Sequence, residues 1–268
     1  MLFQSYIFIL LFFPLCLLGF WGLKRQKLLQ LWLIAFSLWF YGAASPYYLL
    51  LLLGSIAWNY AFFRAIERGI GRVIERVSGS AMERAEYGME RDSSRKRLLL
   101  GIGIAGNLAL LCFFKYFNAI SAGWSQMKGL EDPILQLALP LGISFFTFQQ
   151  IGFLADAYKG EVGACSLREY VLFVSFFPYV SSGPIVNAQE MLPQYRQIGR
   201  QRLDWAKFAG GLYLFALGLS KKVLLADTFG KAVDAGYGNV AGLSGTDAWL
   251  VMLFYTLQLY FDFSGYCD

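Results

Sequence analysis

The chain is 268 residues long, with 57% hydrophobic residues, 15% charged residues, a formal net charge of +5 and a mean hydropathy of +0.49. Soluble domains carry about 25% charge, so this composition excludes an ordinary soluble domain. The small basic excess sits between apolar runs, where membrane topology accounts for it, and excludes nucleic acid as a partner.

In chain order, no charged residue occurs in 1–23, 28–63, 98–114, 133–155 or 170–189. A helix needs about 20 mainly apolar residues to cross the hydrocarbon core, and a charge at its centre costs about 2.5–3.5 kcal/mol. These runs predict an all-α fold, a polytopic transmembrane helical bundle of seven to eight apolar segments. They fall near 2–22, 28–43, 46–63, 98–117, 135–155, 170–188, 208–226 and 247–266. In the first, the charges Lys24, Arg25 and Lys27 follow the apolar run and no small-residue cleavage site precedes them. It therefore reads as a retained span, not a signal peptide. Gly42-Ala43-Ala44-Ser45-Pro46 should turn the chain between two short helices.

Three regions follow: N-terminal transmembrane helices over 1–63, a cytoplasmic basic helical loop over 64–97, and a transmembrane core over 98–268. The loop holds nine Lys/Arg and six acidic residues, with Arg64, Arg68, Arg72 and Arg76 on one helical face. Such a stripe is a solvated juxtamembrane face or a contact for anionic lipid. The positive-inside rule puts Lys24–Lys27 and the loop in the cytoplasm and the N-terminus outside. Ser166-x-x-Glu169 has the form of a capping box ahead of 170–188. A full crossing by 170–188 would place Arg196, Arg200, Arg202 and Lys207 outside, against that rule. Pro178 and Gly183-Pro184 interrupt the segment, so a broken or re-entrant helix is expected.

Gly101-x-Gly103-x-x-Gly106 lies inside an apolar run with no strand before it, which favours close helix packing over dinucleotide binding. Cys16, Cys112, Cys165 and Cys267 are far apart and indicate neither a metal site nor a disulfide framework. Polar residues inside apolar segments are costly and tend to be functional. The candidates are Gln149 and Gln150 with Asp156 at one helix end, and Lys221, Lys222 and Asp227 late in another segment. Gln258 and Asp262 share a face of the last helix, with Ser264 and Tyr266 nearby. Asp227 and Lys231 have the acid-first spacing of a local ion pair.

Four stretches in order carry a resemblance: Leu139-Pro-Leu-Gly-Ile-Ser-Phe-Phe-Thr-Phe-Gln149 with Asp156-Ala-Tyr-Lys-Gly160; Ser182-Gly-Pro-Ile-Val186; Ala216-Leu-Gly-Leu-Ser-Lys-Lys-Val-Leu-Leu-Ala-Asp227; and Gln258-Leu-Tyr-Phe-Asp-Phe-Ser-Gly-Tyr-Cys-Asp268. Together they resemble the membrane-bound O-acyltransferases, in the bacterial branch that O-acetylates alginate and other polysaccharides; residues 1–135 match in hydropathy alone. The resemblance implies a multi-pass protein of the bacterial inner membrane that moves an acyl group, acetyl above all, onto an extracytoplasmic polysaccharide or a partner that passes it on. The donor would be a thioester, acetyl-CoA or an acyl carrier.

Under that resemblance Gln149, Asp156, Gln258, Asp262, Ser264 and Tyr266 would support the site, and Lys221, Lys222 and Asp227 would be structural or lie on the donor side. Asn187 stands where many relatives carry Arg. The sequence has no histidine, whereas the family's catalytic histidine belongs downstream of the Asp262-Phe-Ser-Gly-Tyr266 helix. Histidine is the side chain best suited to take a hydroxyl proton near neutral pH, so this stretch is expected to be inactive alone. A transporter or channel lined by Asp156 and Asp262, or a non-catalytic membrane scaffold, are the alternatives from other classes.

Overall fold

A computed structural model describes residues 3–23, 25–78, 82–128, 137–200 and 204–268, with the backbone alone for 69–78, 82–93 and Arg200. The regular elements among the described residues are helices: α1 (Phe13–Gly22), α2 (Gln26–Gly42), α3 (Pro46–Ser78), α4 (Met82–Met127), α5 (Ile143–Lys159), α6 (Leu167–Ser175), α7 (Phe177–Val180), α8 (Ala188–Gln197), α9 (Trp205–Ser220), α10 (Asp227–Gly238) and α11 (Gly245–Cys267). Residues 16–200 form one packed unit; residues 2–15 and 201–268 form another. Three stretches are long and apolar enough to span a membrane, Pro46–Arg68, Ser94–Met127 and Trp205–Gly238, and Phe8–Gly22 is a shorter apolar helix.

Within the first unit, α2 ends at Gly42 and α3 opens on Pro46, as the turn residues between them predict. Proline suits that first helical position because its missing N–H would have had no helical partner there. The helix expected over 135–155 begins only at Ile143. Its N-cap, Gly142, has φ +67°, and a Cβ there would collide with the Val180 carbonyl. Residues 137–142 are consequently irregular, and side chains of other helices satisfy their backbone. The Tyr41 hydroxyl donates to the Leu141 carbonyl at 2.8 Å, and the Tyr48 hydroxyl donates to that of Ala138. Asn118 gives its amide N–H to the Leu137 carbonyl at 2.7 Å and takes the Leu137 N–H at 2.8 Å.

The segment 170–188 is broken, as Pro178 and Gly183-Pro184 predict. Helix α6 stops at Ser175 and the short α7 follows it. The Phe177 N–H freed by the break donates to the Ser37 hydroxyl at 3.2 Å, which itself donates to the Leu33 carbonyl at 2.7 Å. Broken backbone in an apolar setting persists where protein groups satisfy it.

Helices α3, α4, α5 and α6 are joined by buried amides. Asn59 and Asn107 exchange hydrogen bonds at 3.0 and 2.6 Å. Gln150 donates to the Ser55 hydroxyl at 2.8 Å and accepts from the Tyr170 hydroxyl at 3.2 Å. Small residues let these helices approach: an added Cβ at Gly103 would lie 2.9 Å from Leu154 and one at Gly106 would lie 2.8 Å from Trp58, while Gly101 faces open space. Gly103 and Gly106 thus serve packing, as read from the sequence, and Gly101 does not. Around Phe153 the rings of Phe63, Tyr170 and Phe173 gather, with centroids 5.1, 4.7 and 5.6 Å away.

The capping box at Ser166 and Glu169 forms and is extended by Arg196 of α8, whose Nε donates to Glu169 at 2.8 Å and whose Nη2 donates to the Ala164 carbonyl. Side chains of α2 complete the clamp: Gln30 donates to the Tyr195 carbonyl at 3.0 Å and Gln26 to that of Arg196. Burial alone would raise the Glu169 carboxyl, but the Arg196 guanidinium and the Ser166 N–H and hydroxyl together hold it below its ordinary 4.5. Beside it Cys165 is pushed up to about 12 by burial, which leaves an unreactive thiol. Of the basic stripe, Arg64 pairs with Glu67 three residues on; the side chains of Arg72 and Arg76, and Arg202, lie outside the described residues.

Two outcomes follow. Replacing Asn107 by Leu strands a buried Asn59 amide and should lower stability by about 1 kcal/mol, whereas replacing both Asn59 and Asn107 by Leu should recover part of that loss. Thermal melts in detergent decide it, and a double variant no better than the single would count against the pair. A depressed carboxylate pKa adds stability above its unfolded value that is lost as pH falls through the folded one. The melting temperature should therefore drop as pH falls from 4.5 downward, and Glu169→Gln should reduce that acid dependence.

Candidate functional site

The second unit gathers most of the polar candidates. Helix α9 passes into α10 through a π-helical turn over Lys221–Ala226, where the Asp227 N–H donates to the Lys222 carbonyl five residues back. Five residues on an ordinary 3.6-residue turn lie about 140° apart around the axis. The wider turn swings Asp227 back over Lys222, and their side chains pair at 3.1 Å. Asp227 thus pairs backward with Lys222 and not forward with Lys231 as its spacing suggested: the i,i+4 register inside α10 is intact, but the π-turn before it brings a second ammonium within reach. Such turns occur often at functional sites.

Helix α11 packs along this junction. A Cβ on Gly265 would lie 2.7 Å from the Gly218 carbonyl and 3.1 Å from Lys221 Cβ, so the two backbones nearly touch. This approach brings both lysines against α11. Lys221 donates to the Ser264 hydroxyl at 3.0 Å and pairs with Asp268 at 2.5 Å, while Lys222 reaches Asp262 at 2.7 Å. Gln258, one turn earlier on the same face, lies over Gly230, with its Nε2 3.0 Å from where a Cβ would stand. Its Oε1 is buried and has no hydrogen-bond partner among the described residues. Tyr266 packs edge-on against Phe3 at 5.5 Å. Gln258 and Asp262 share one face, as their spacing requires, and both turn it toward the α9–α10 ribbon.

The remaining candidates belong to the first unit. Gln149 donates to the Phe173 carbonyl at 3.0 Å, tying α5 to α6, and Asp156 lies near the end of α5. Both lysines are already engaged, Lys221 by Asp268 and Ser264 and Lys222 by Asp227 and Asp262. The sequence pattern missed the Asn59–Asn107 pair, although an Asn in the middle of each of two apolar segments was a signal that both needed partners. It also missed the Arg196–Glu169 clamp, whose residues lie 27 apart in the chain and have no local signature.

The class is thus defined: a helical membrane protein with an ion-paired cluster where two of its apolar helices meet. No family model matches the chain. It is 36% identical over 297 residues to the peptidoglycan O-acetyltransferase of Helicobacter pylori, an alignment that covers 100% of this chain and 52% of that protein. Against the probable alginate O-acetylase AlgI of Pseudomonas putida it is 35% identical over 274 residues, covering 100% of this chain and 51% of the relative. The teichoic acid D-alanyltransferase of Lacticaseibacillus rhamnosus is 28% identical over 134 residues, 47% of this chain and 33% of that protein. The chain belongs to the membrane-bound O-acyltransferase family, and it spans about half the length of the first two relatives.

Gly265→Leu should force α9 and α11 apart and break both lysine contacts, at a cost of about 1–3 kcal/mol for overpacking. A lower detergent melting temperature is the expected result; an unchanged one would mean that the close approach is dispensable.

Proposed function

We propose that this protein takes part in O-acetylation of an extracytoplasmic polysaccharide, as a multi-pass component of the bacterial inner membrane. The observation that carries this reading is identity of 36% and 35%, across the whole chain, to proteins named for O-acetylation of peptidoglycan and of alginate. The ordered motifs from Leu139 to Asp268 support it. So does the cluster at the π-turn, because charged residues retained inside an apolar span tend to be functional. The acyl group would come from a thioester, acetyl-CoA or an acyl carrier, and its acceptor would be a glycan hydroxyl.

Within that chemistry the chain's own residues supply framework and electrostatics. Lys221 and Lys222 are engaged in ion pairs, and the sequence holds no histidine. The general base is therefore not assigned to a residue of this chain. Relatives named as transferases give no support to a channel or a passive scaffold.

Deleting the gene in its host and measuring acetate released by mild alkali from wall and secreted polysaccharide tests the reading. Ester-linked acetate should fall to background on one polymer and return on complementation. Unchanged acetate on every polymer fraction would overturn the proposal.

A further inference from the structure

Lys222 touches two carboxylates, Asp227 at 3.1 Å and Asp262 at 2.7 Å. Asp227 alone would neutralise it. The second carboxylate leaves the three groups with a net charge of −1, so Asp262 is not there to satisfy the lysine. Ion pairs withdrawn from water are weak sources of stability, because desolvation offsets their attraction. An apolar span that holds Lys221, Lys222 and Asp227 needs another reason for them. The geometry supplies it in three parts. The π-turn swings Asp227 over Lys222, the Gly218–Gly265 contact brings α11 within reach, and the ammonium then grips one oxygen of Asp262. The Asp262 side chain stays 51% exposed. Its carboxylate is held at one end and presented at the other.

We propose that Lys222 is a positioning residue: braced by Asp227 across the π-turn, it fixes the Asp262 carboxylate so that its exposed side is presented to a polar group outside the helix pair. This rests on the acyltransferase reading for its purpose, but not for its geometry. A carboxylate fixed in this way accepts a hydrogen bond in one direction and orients whatever donor group meets it there. The same carboxylate on an unbraced side chain would sample several rotamers.

The geometry is tested without any activity. Asp262→Cys is made in a background whose exposed Cys112 and Cys267 are replaced by Ser, leaving the buried Cys16 and Cys165 in place. Alkylation by a water-soluble maleimide is then timed in native membranes. A cation beside a thiol favours the reactive thiolate, so adding Lys222→Met should slow alkylation roughly tenfold, and Lys222→Arg should restore it. A rate indifferent to residue 222 would overturn the contact. No alkylation of the Asp262→Cys protein at all would place residue 262 against lipid and overturn the presentation.

The purpose is tested separately in cells carrying the wild-type gene or a variant. Lys222→Met should reduce ester-linked acetate on the polysaccharide at unchanged membrane protein level, with Lys222→Arg restoring it. Wild-type acetylation that survives Lys222→Met would sink the positioning role. Absence of acetylation in the wild type would sink the acyltransferase reading, while the alkylation rates still decide the geometry.

Discussion

A polar group carried into an apolar helix bundle has no water to turn to, and this protein's architecture is shaped by where such groups find partners. The requirement falls first on backbone. Residues 137–142 and the break between α6 and α7 leave N–H and C=O groups outside any helical ladder. Tyr41, Tyr48, Asn118 and Ser37 each reach across from another helix to satisfy one or more of them. Losing such a partner costs more than the bond's net worth, since a buried group is left unmatched. The irregular segments and the helices that serve them therefore hold together as one arrangement. Gly142 and Val180 are where two of these segments meet.

The same requirement falls on side chains, with two different results. In the first unit the amides of Asn59, Asn107 and Gln150 are matched within the bundle and add interhelical specificity. In the second unit the matching stays incomplete. Lys222 is shared between two aspartates, Asp262 keeps an exposed side, and Gln258 has a buried carbonyl without a partner among the described residues. A fully satisfied network reads as support and a partly satisfied one as a place where something else is to be met. The first unit is not wholly matched either, since the Thr147 hydroxyl is buried without a partner among the described residues.

Much of the helical plan was legible in the residues. Charge-free runs locate apolar helices because charge at their centres is expensive. Gly42 to Pro46 marked a turn, Ser166 and Glu169 a cap, and Pro178 with Gly183-Pro184 a break. Each of these signals works through a few neighbouring residues, so local pattern suffices. Two expectations met different outcomes for different reasons. The helix over 135–155 starts late at Ile143, after Pro140 and a left-handed Gly142 packed on Val180. Asp227 pairs with Lys222 and not with Lys231 because a π-turn, which has no local sequence signature, brings Lys222 within reach.

Sequence pattern alone established the membrane environment, the helical class and the family, because hydropathy and ordered motifs survive any rearrangement of the helices in space. It also showed that Gln258 and Asp262 share a face, since helical spacing dictates that. What it could not establish was which partners those faces meet. Lys222 reaches Asp262 because a π-turn resets the register and because Gly218 and Gly265 let two backbones nearly touch, contacts between residues 47 or fewer positions apart on different helices. Register and approach distance are properties of the packed helices, and they turn scattered charged residues into one oriented group.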